Sequence, residues 1–104
     1  MEFRIEYMPI ALEHLRGLTA RQQRDVLDTV EQQLTHEPNV PTRNRKALRP
    51  NKLATWELRI GDLRVFYDIE LKESESRLEA VVVILAVGLK RGDRLWIGNE
   101  EIEL

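Results

Sequence analysis

Two arginines flank a Gly-Asp pair in Trp56-Glu57-Leu58-Arg59-Ile60-Gly61-Asp62-Leu63-Arg64-Val65-Phe66-Tyr67-Asp68-Ile69. Apolar and polar residues alternate on both sides of that pair, the pattern of a β-hairpin closed by a tight turn. Alternation puts Trp56, Leu58 and Ile60 on one face, and Glu57 and Arg59 on the other. In the second strand Leu63, Val65, Tyr67 and Ile69 share a face, with Arg64, Phe66 and Asp68 on its reverse. Just upstream, the decapeptide from Arg43 to Lys52 holds Arg43, Arg45, Lys46, Arg49 and Lys52 and no acid. A guanidinium donates two parallel hydrogen bonds to a phosphate, so cations gathered beside a sheet face suit a polyanionic ligand. A solvated loop over 43–52 would have the same composition.

The elements that must position these side chains belong to one domain spanning 1–104, long enough for one modest core. The net charge of −2 hides an asymmetry. Residues 43–66 carry seven basic and two acidic groups, net +5, and the flanking segments are acidic. Such a chain suits a local cationic groove better than indiscriminate duplex binding. With no cysteine there is no disulfide framework and no thiolate metal site. The N-terminus lacks a signal-peptide core, and the longest apolar run, Ala80 to Gly88, is too short to cross a bilayer. A cytoplasmic setting without membrane association is expected.

Phe3 to Tyr7 alternates as a first strand. Pro9 suits a helix start, and Ile10 to Arg16 runs on to a stop at Gly17. Thr19 and Gln22 fit a capping box that opens a second helix. Its stripe of Val26, Leu27, Val30 and Leu34 is expected to face the sheet, and the helix to end near His36. Pro38, Pro41 and Pro50 mark an irregular link. After the hairpin comes Leu71 to Glu79, whose core from Lys72 to Arg77 reads as an exposed turn, and Ala80 to Val87 reads as the most buried strand. Gly92-Asp93 is a turn, Arg94 to Ile97 a short strand, and Gly98-Asn99 a further turn. The expected fold class is α+β: two N-terminal helices packed on one face of an antiparallel β-sheet of four or more strands, in the order β-α-α-β-β-β. By strand parity Trp56 and Tyr67 belong to the core. His14 reads as a helix-surface residue and His36 as a C-terminal-turn residue that favours the helix dipole. Arg91-Gly92-Asp93 spells an adhesion tripeptide but reads as a turn.

The opening strand, two helices, basic loop, WELRIGDLRVFYDIE and then VVVILAVGLKR resemble, in that order, the RelE/ParE superfamily of toxins from type II toxin–antitoxin modules. The resemblance covers roughly Met1 to Arg91. It implies a cognate antitoxin, held in a toxin–antitoxin hetero-oligomer, and an mRNA interferase that inhibits translation by cutting mRNA on the ribosome. A ParE-like inhibitor of DNA gyrase and a catalytically impaired RelE-like binding module are the alternatives, because fold alone does not choose among them.

On the nuclease reading, an RNA-binding endoribonuclease of this kind needs no metal or other cofactor, and neither is apparent in the sequence. Basic side chains stabilise the phosphorane-like transition state while protons leave the 2′-OH and reach the 5′-oxygen. By position the resemblance gives catalytic roles to Arg64, to Arg59 on the preceding strand, and to Lys90 or Arg91 on the last long strand. Glu57 falls where a second basic residue is common; it is either a base or a cross-strand partner of Arg64. Arg43, Arg45, Lys46, Arg49 and Lys52 would bind RNA, with Arg45, Lys46 and Arg49 at the rim of the face. Trp96 stands near the expected terminal tyrosine and could stack on a base, but an indole exchanges no proton, and its apolar neighbours also fit a structural role.

Overall fold

The computed structural model describes residues 2–104. Strand β1 (Arg4–Tyr7) is followed by helices α1 (Pro9–Arg16) and α2 (Ala20–Leu34) and then by six strands. These are β2 (Arg45–Ala47), β3 (Trp56–Ile60), β4 (Leu63–Ser74), β5 (Arg77–Arg91), β6 (Arg94–Ile97) and β7 (Glu100–Ile102). They form one antiparallel sheet in the order β2-β3-β4-β5-β6-β7, and β1 adds to β5 in parallel. The α+β expectation therefore holds, with a larger sheet than the minimum read from the sequence.

Both helices begin as their sequences dictate. Pro9 occupies the first turn of α1, where no backbone donor is needed. At α2 the Thr19 hydroxyl accepts from the Gln22 N–H at 3.1 Å, and the Thr19 N–H donates to Gln22 Oε1 at 3.0 Å. Val26, Val30 and Leu34 of α2 are buried against the sheet. Leu27, expected among them, is instead 46% exposed. One residue further along a helix turns the side chain by about 100°, beyond the edge of the buried stripe.

The hairpin β3–β4 pairs as its alternation requires: Trp56 opposes Tyr67, Leu58 opposes Val65 and Ile60 opposes Leu63. These side chains form the helix-side core with Val82, Ile84 and Val87 of β5. Trp56 and Tyr67 stack with ring centroids 6.2 Å apart, and the Tyr67 hydroxyl donates to the Pro38 carbonyl at 2.7 Å. Burial pushes the Tyr67 phenol well above its ordinary value. A second, smaller core lies on the opposite face, where Phe66, Ala86, Leu95 and Ile97 pack with Ala54. Phe66, which parity places beside Arg64 on the polar face, is thus fully buried.

The continuous apolar run of β5 contains a bulge. Phe66 opposes Ala86 but Tyr67 opposes Ile84, so Leu85 is an extra residue. Ile84 and Val87 consequently reach the helix-side core, while Leu85 and Ala86 both contact the other one. The turn expected over 72–77 is also narrower in the structure. Pairing of β4 with β5 continues to Ser74 and Arg77, and the chain reverses at Glu75-Ser76 alone, both at positive φ. Among the described residues no helix is long and apolar enough to cross a membrane.

Candidate functional site

Arg64 sits where β4 leaves the Gly61-Asp62 turn, on the face away from the helices. Its Nη1 donates to the carbonyls of Gly61 at 2.7 Å and Leu63 at 2.9 Å, which fixes the guanidinium against the hairpin end. Nε faces Glu57 Oε1 at 3.7 Å, and both side chains are about nine-tenths buried. The same carboxylate oxygen meets Arg59 Nε at 3.3 Å. Glu57 is therefore held between two guanidinium groups, one buried and one largely in solvent.

Strand register decides which other cations join them. Lys46 opposes Glu57 across β2–β3 and so shares its face, whereas Arg45 opposes Leu58. The Arg45 side chain is buried, and its Nη1 donates to the Gln33 carbonyl at the end of α2. Its Nε has no hydrogen-bond partner among the described residues. Of the two candidates at the end of β5, Lys90 opposes Leu95 on the open face and Arg91 has the reverse parity. Trp96 opposes Leu89 and Glu101, again on the helix side of the sheet.

What results is an open cleft of about 670 Å³. Glu57, Arg64 and Lys90 line its floor; Lys46 and the segment Leu48–Asn51 line one wall; Asp93, Leu95 and the stretch from Ile102 line the other. Lys46, Arg49 and Lys90 form no ion pair among the described residues. Arg59 borders the floor through Glu57, while Arg43, Arg45, Arg91 and Trp96 do not line the cleft. Lys52 faces a neighbouring hollow beside Asp68.

The sequence matches no family model and no curated protein. The structure is similar to a chain of the toxin–antitoxin complex RelBE2 from Mycobacterium tuberculosis. The TM-score is 0.68 at 26% identity, over 86% of this chain and all of that one. The fold is RelE-like.

In this RelE-like chain neither histidine nor tyrosine lines the cleft. Tyr7 and Tyr67 pack with the helix-side core. His14 is not a free helix-surface residue: its Nδ1 accepts the Val87 N–H at 3.3 Å. Burial pulls its pKa below the ordinary value despite the opposing charge of Glu13. No group of three or more His, Cys, Asp or Glu side chains among the described residues is arranged to hold a metal ion. Asp93 and the Ile102–Leu104 stretch border the cleft without having been singled out in the sequence. Their only signal was the turn at Gly92-Asp93 and a short acidic tail.

Proposed function

We propose that the protein is the toxin of a type II toxin–antitoxin module and acts in the cytoplasm by cutting mRNA on the ribosome. The observation that carries the reading is the Arg64 guanidinium, clamped by two carbonyls beside Glu57 on the floor of a cleft that also holds Lys90 and Lys46. The RelBE2 likeness supports the antitoxin partner.

In the proposed reaction Arg64 and Lys46 hold the scissile phosphate. Glu57 accepts the proton of the 2′-OH as its oxygen attacks phosphorus. Lys90 donates a proton to the departing 5′-oxygen, leaving a 2′,3′-cyclic phosphate and a 5′-hydroxyl. Charge builds on the nonbridging oxygens in the transition state, where a fixed guanidinium stabilises it most.

A second reading draws on a different observation. With neither imidazole nor phenol in the cleft, the site is poor in groups that exchange protons near neutral pH. That favours a module that binds without cutting, either an impaired relative or a gyrase inhibitor.

Induced expression of the wild type, Lys90→Ala and Arg64→Lys in a bacterial host, with growth followed and mRNA 5′ ends mapped, separates these readings. Growth arrest with new cuts inside translated codons, lost in both variants, is expected. Arrest without cuts, accompanied by loss of DNA supercoiling activity, would establish the gyrase reading instead. Absence of arrest would leave the impaired module.

A further inference from the structure

The segment 49–54 belongs to no helix or strand, yet its first three residues, Arg49 to Asn51, line a wall of the cleft, and Lys52 faces the neighbouring hollow. Its backbone groups turn to one side chain. Asn51 Nδ2 donates to the carbonyls of Arg49 at 2.7 Å and Ala54 at 2.9 Å. Asn51 Oδ1 accepts the N–H groups of Leu53 at 2.7 Å and Ala54 at 3.0 Å. Both amide hydrogens and both carbonyl lone pairs are thereby engaged, leaving Asn51 nothing to offer a ligand. Beneath the loop, Leu48, Leu53 and Ala54 anchor on the core around Phe66, and the Leu48 N–H donates to the Thr55 carbonyl at 2.8 Å. Pro50 removes a donor and fixes one dihedral of the same turn.

We infer that Asn51 is a positioning residue of the cleft, acting through Arg49. Its amide sets the turn that carries the Arg49 guanidinium on the wall beside the Arg64 and Lys90 floor, so that a phosphodiester backbone meets cations from two sides. The inference rests on the reading of the cleft as an RNA site. Side-chain–backbone bonds of this kind replace a secondary-structure ladder, and they define the loop more narrowly than its sequence alone would. Arg49 is exposed and forms no ion pair among the described residues, so the place of its guanidinium is set by the backbone turn that Asn51 holds and by no contact of its own.

The test titrates a fluorescent 2′-O-methylated single-stranded RNA, which binds but cannot be cut, over a series of salt concentrations. The proteins compared are the wild type, Arg49→Ala, Asn51→Ala, their double variant, Asn51→Ser and Lys90→Ala. On a single strand, loss of one phosphate contact lowers the steepness of log affinity against log salt by about 0.7. Arg49→Ala and Asn51→Ala are each expected to show that drop with a similar loss of affinity. The double variant is expected to be no weaker than Arg49→Ala, because the two residues act as one unit. Asn51→Ser keeps one acceptor and one donor and adds no charge, so it should fall between the wild type and Asn51→Ala. It also reports on the clamp should the alanine variant unfold.

Additive losses in the double variant, or an Asn51→Ala protein that binds like the wild type while Arg49→Ala does not, would overturn the inference alone. RNA binding that is absent, or indifferent to Lys90→Ala, would overturn the RNA-site reading and the inference with it.

Discussion

Glu57 Oε1 stands 3.7 Å from Arg64 Nε and 3.3 Å from Arg59 Nε, so one carboxylate oxygen is shared by a buried and a solvated guanidinium. The pair is asymmetric in consequence. Removing Arg59 leaves Glu57 its buried partner. Removing Arg64 leaves the buried carboxylate only its largely solvated partner and takes the donor from two hairpin carbonyls. Arg64→Ala is thus expected to lower stability by about 3 kcal/mol, the low end of the cost of breaking a buried pair. Arg59→Ala should cost less than about 1 kcal/mol, as for an exposed pair. Chemical denaturation of the two variants checks the difference. A plain sheet-surface arginine would make both variants equally mild.

Gly88 opposes Ile97 where β6 joins β5. A Cβ at this position would lie 2.6 Å from the Trp96 carbonyl oxygen and 2.9 Å from Ile97 Cγ1. The first of these atoms is backbone and cannot rotate away. Gly88→Ala should therefore destabilise by about 2–3 kcal/mol through overpacking. Hydrogen exchange should show β6 and β7 losing protection first, while β3 and β4 keep theirs.

His14 fills a gap in the sheet. On that edge of β5, residues 81–84 pair with β1 and residues 88–91 with β6, and the Val87 N–H between them goes to His14 Nδ1. Only the neutral ring can accept that bond. The folded-state pKa lies below the ordinary 6.5. The unfolded chain therefore takes up the proton first as pH falls. The contribution is intact above pH 6.5 and is lost as pH drops through the depressed folded value. Melting temperature measured across mildly acidic pH should fall in the wild type, and fall less in a His14→Gln variant, whose amide does not titrate.

At the other extreme of pH, burial raises the Tyr7 phenol to about 12. Here the sign reverses. The neutral phenol is favoured by the fold, so stability is intact below pH 10 and is lost as pH rises toward the folded value. Tyr67 shifts in the same direction. Phenolate absorbance is expected to appear together with loss of helix signal rather than before it. Separately, Tyr67→Phe removes the bond to the Pro38 carbonyl and should cost about 1–2 kcal/mol at neutral pH.

Much of this was legible in the residues. The hairpin register followed from a period of two, and Thr19 with Gln22 announced the start of α2. The antiparallel sheet and the two helices packed on it also follow the sequence reading. Elsewhere the signal was missing for physical reasons. Every residue from Val81 to Val87 is apolar, so no alternation marks Leu85 as the extra one. Arg45 and Lys46 look alike in a basic run, and only a three-residue ladder on β3 sends one inward and the other to the cleft. The choice between Lys90 and Arg91 was likewise a matter of register, fixed by Gly88 facing Ile97. His14 gave no hint of its role, because the donor it satisfies belongs to a strand far along the chain.

The ribbon formed by the far ends of β4 and β5 has one more consequence. Beyond Asp68 and before Val81 these two strands pair only with each other, and Leu71 and Leu78 on one face of the ribbon are 73% and 72% exposed. Unsatisfied strand edges beside bare leucines are the usual seed of sheet-to-sheet sticking. This tip is therefore the expected site of self-association as the purified chain is concentrated. A Leu71→Lys variant should remain clear at concentrations where the wild type turns cloudy, without altering the cleft on the far side of the sheet.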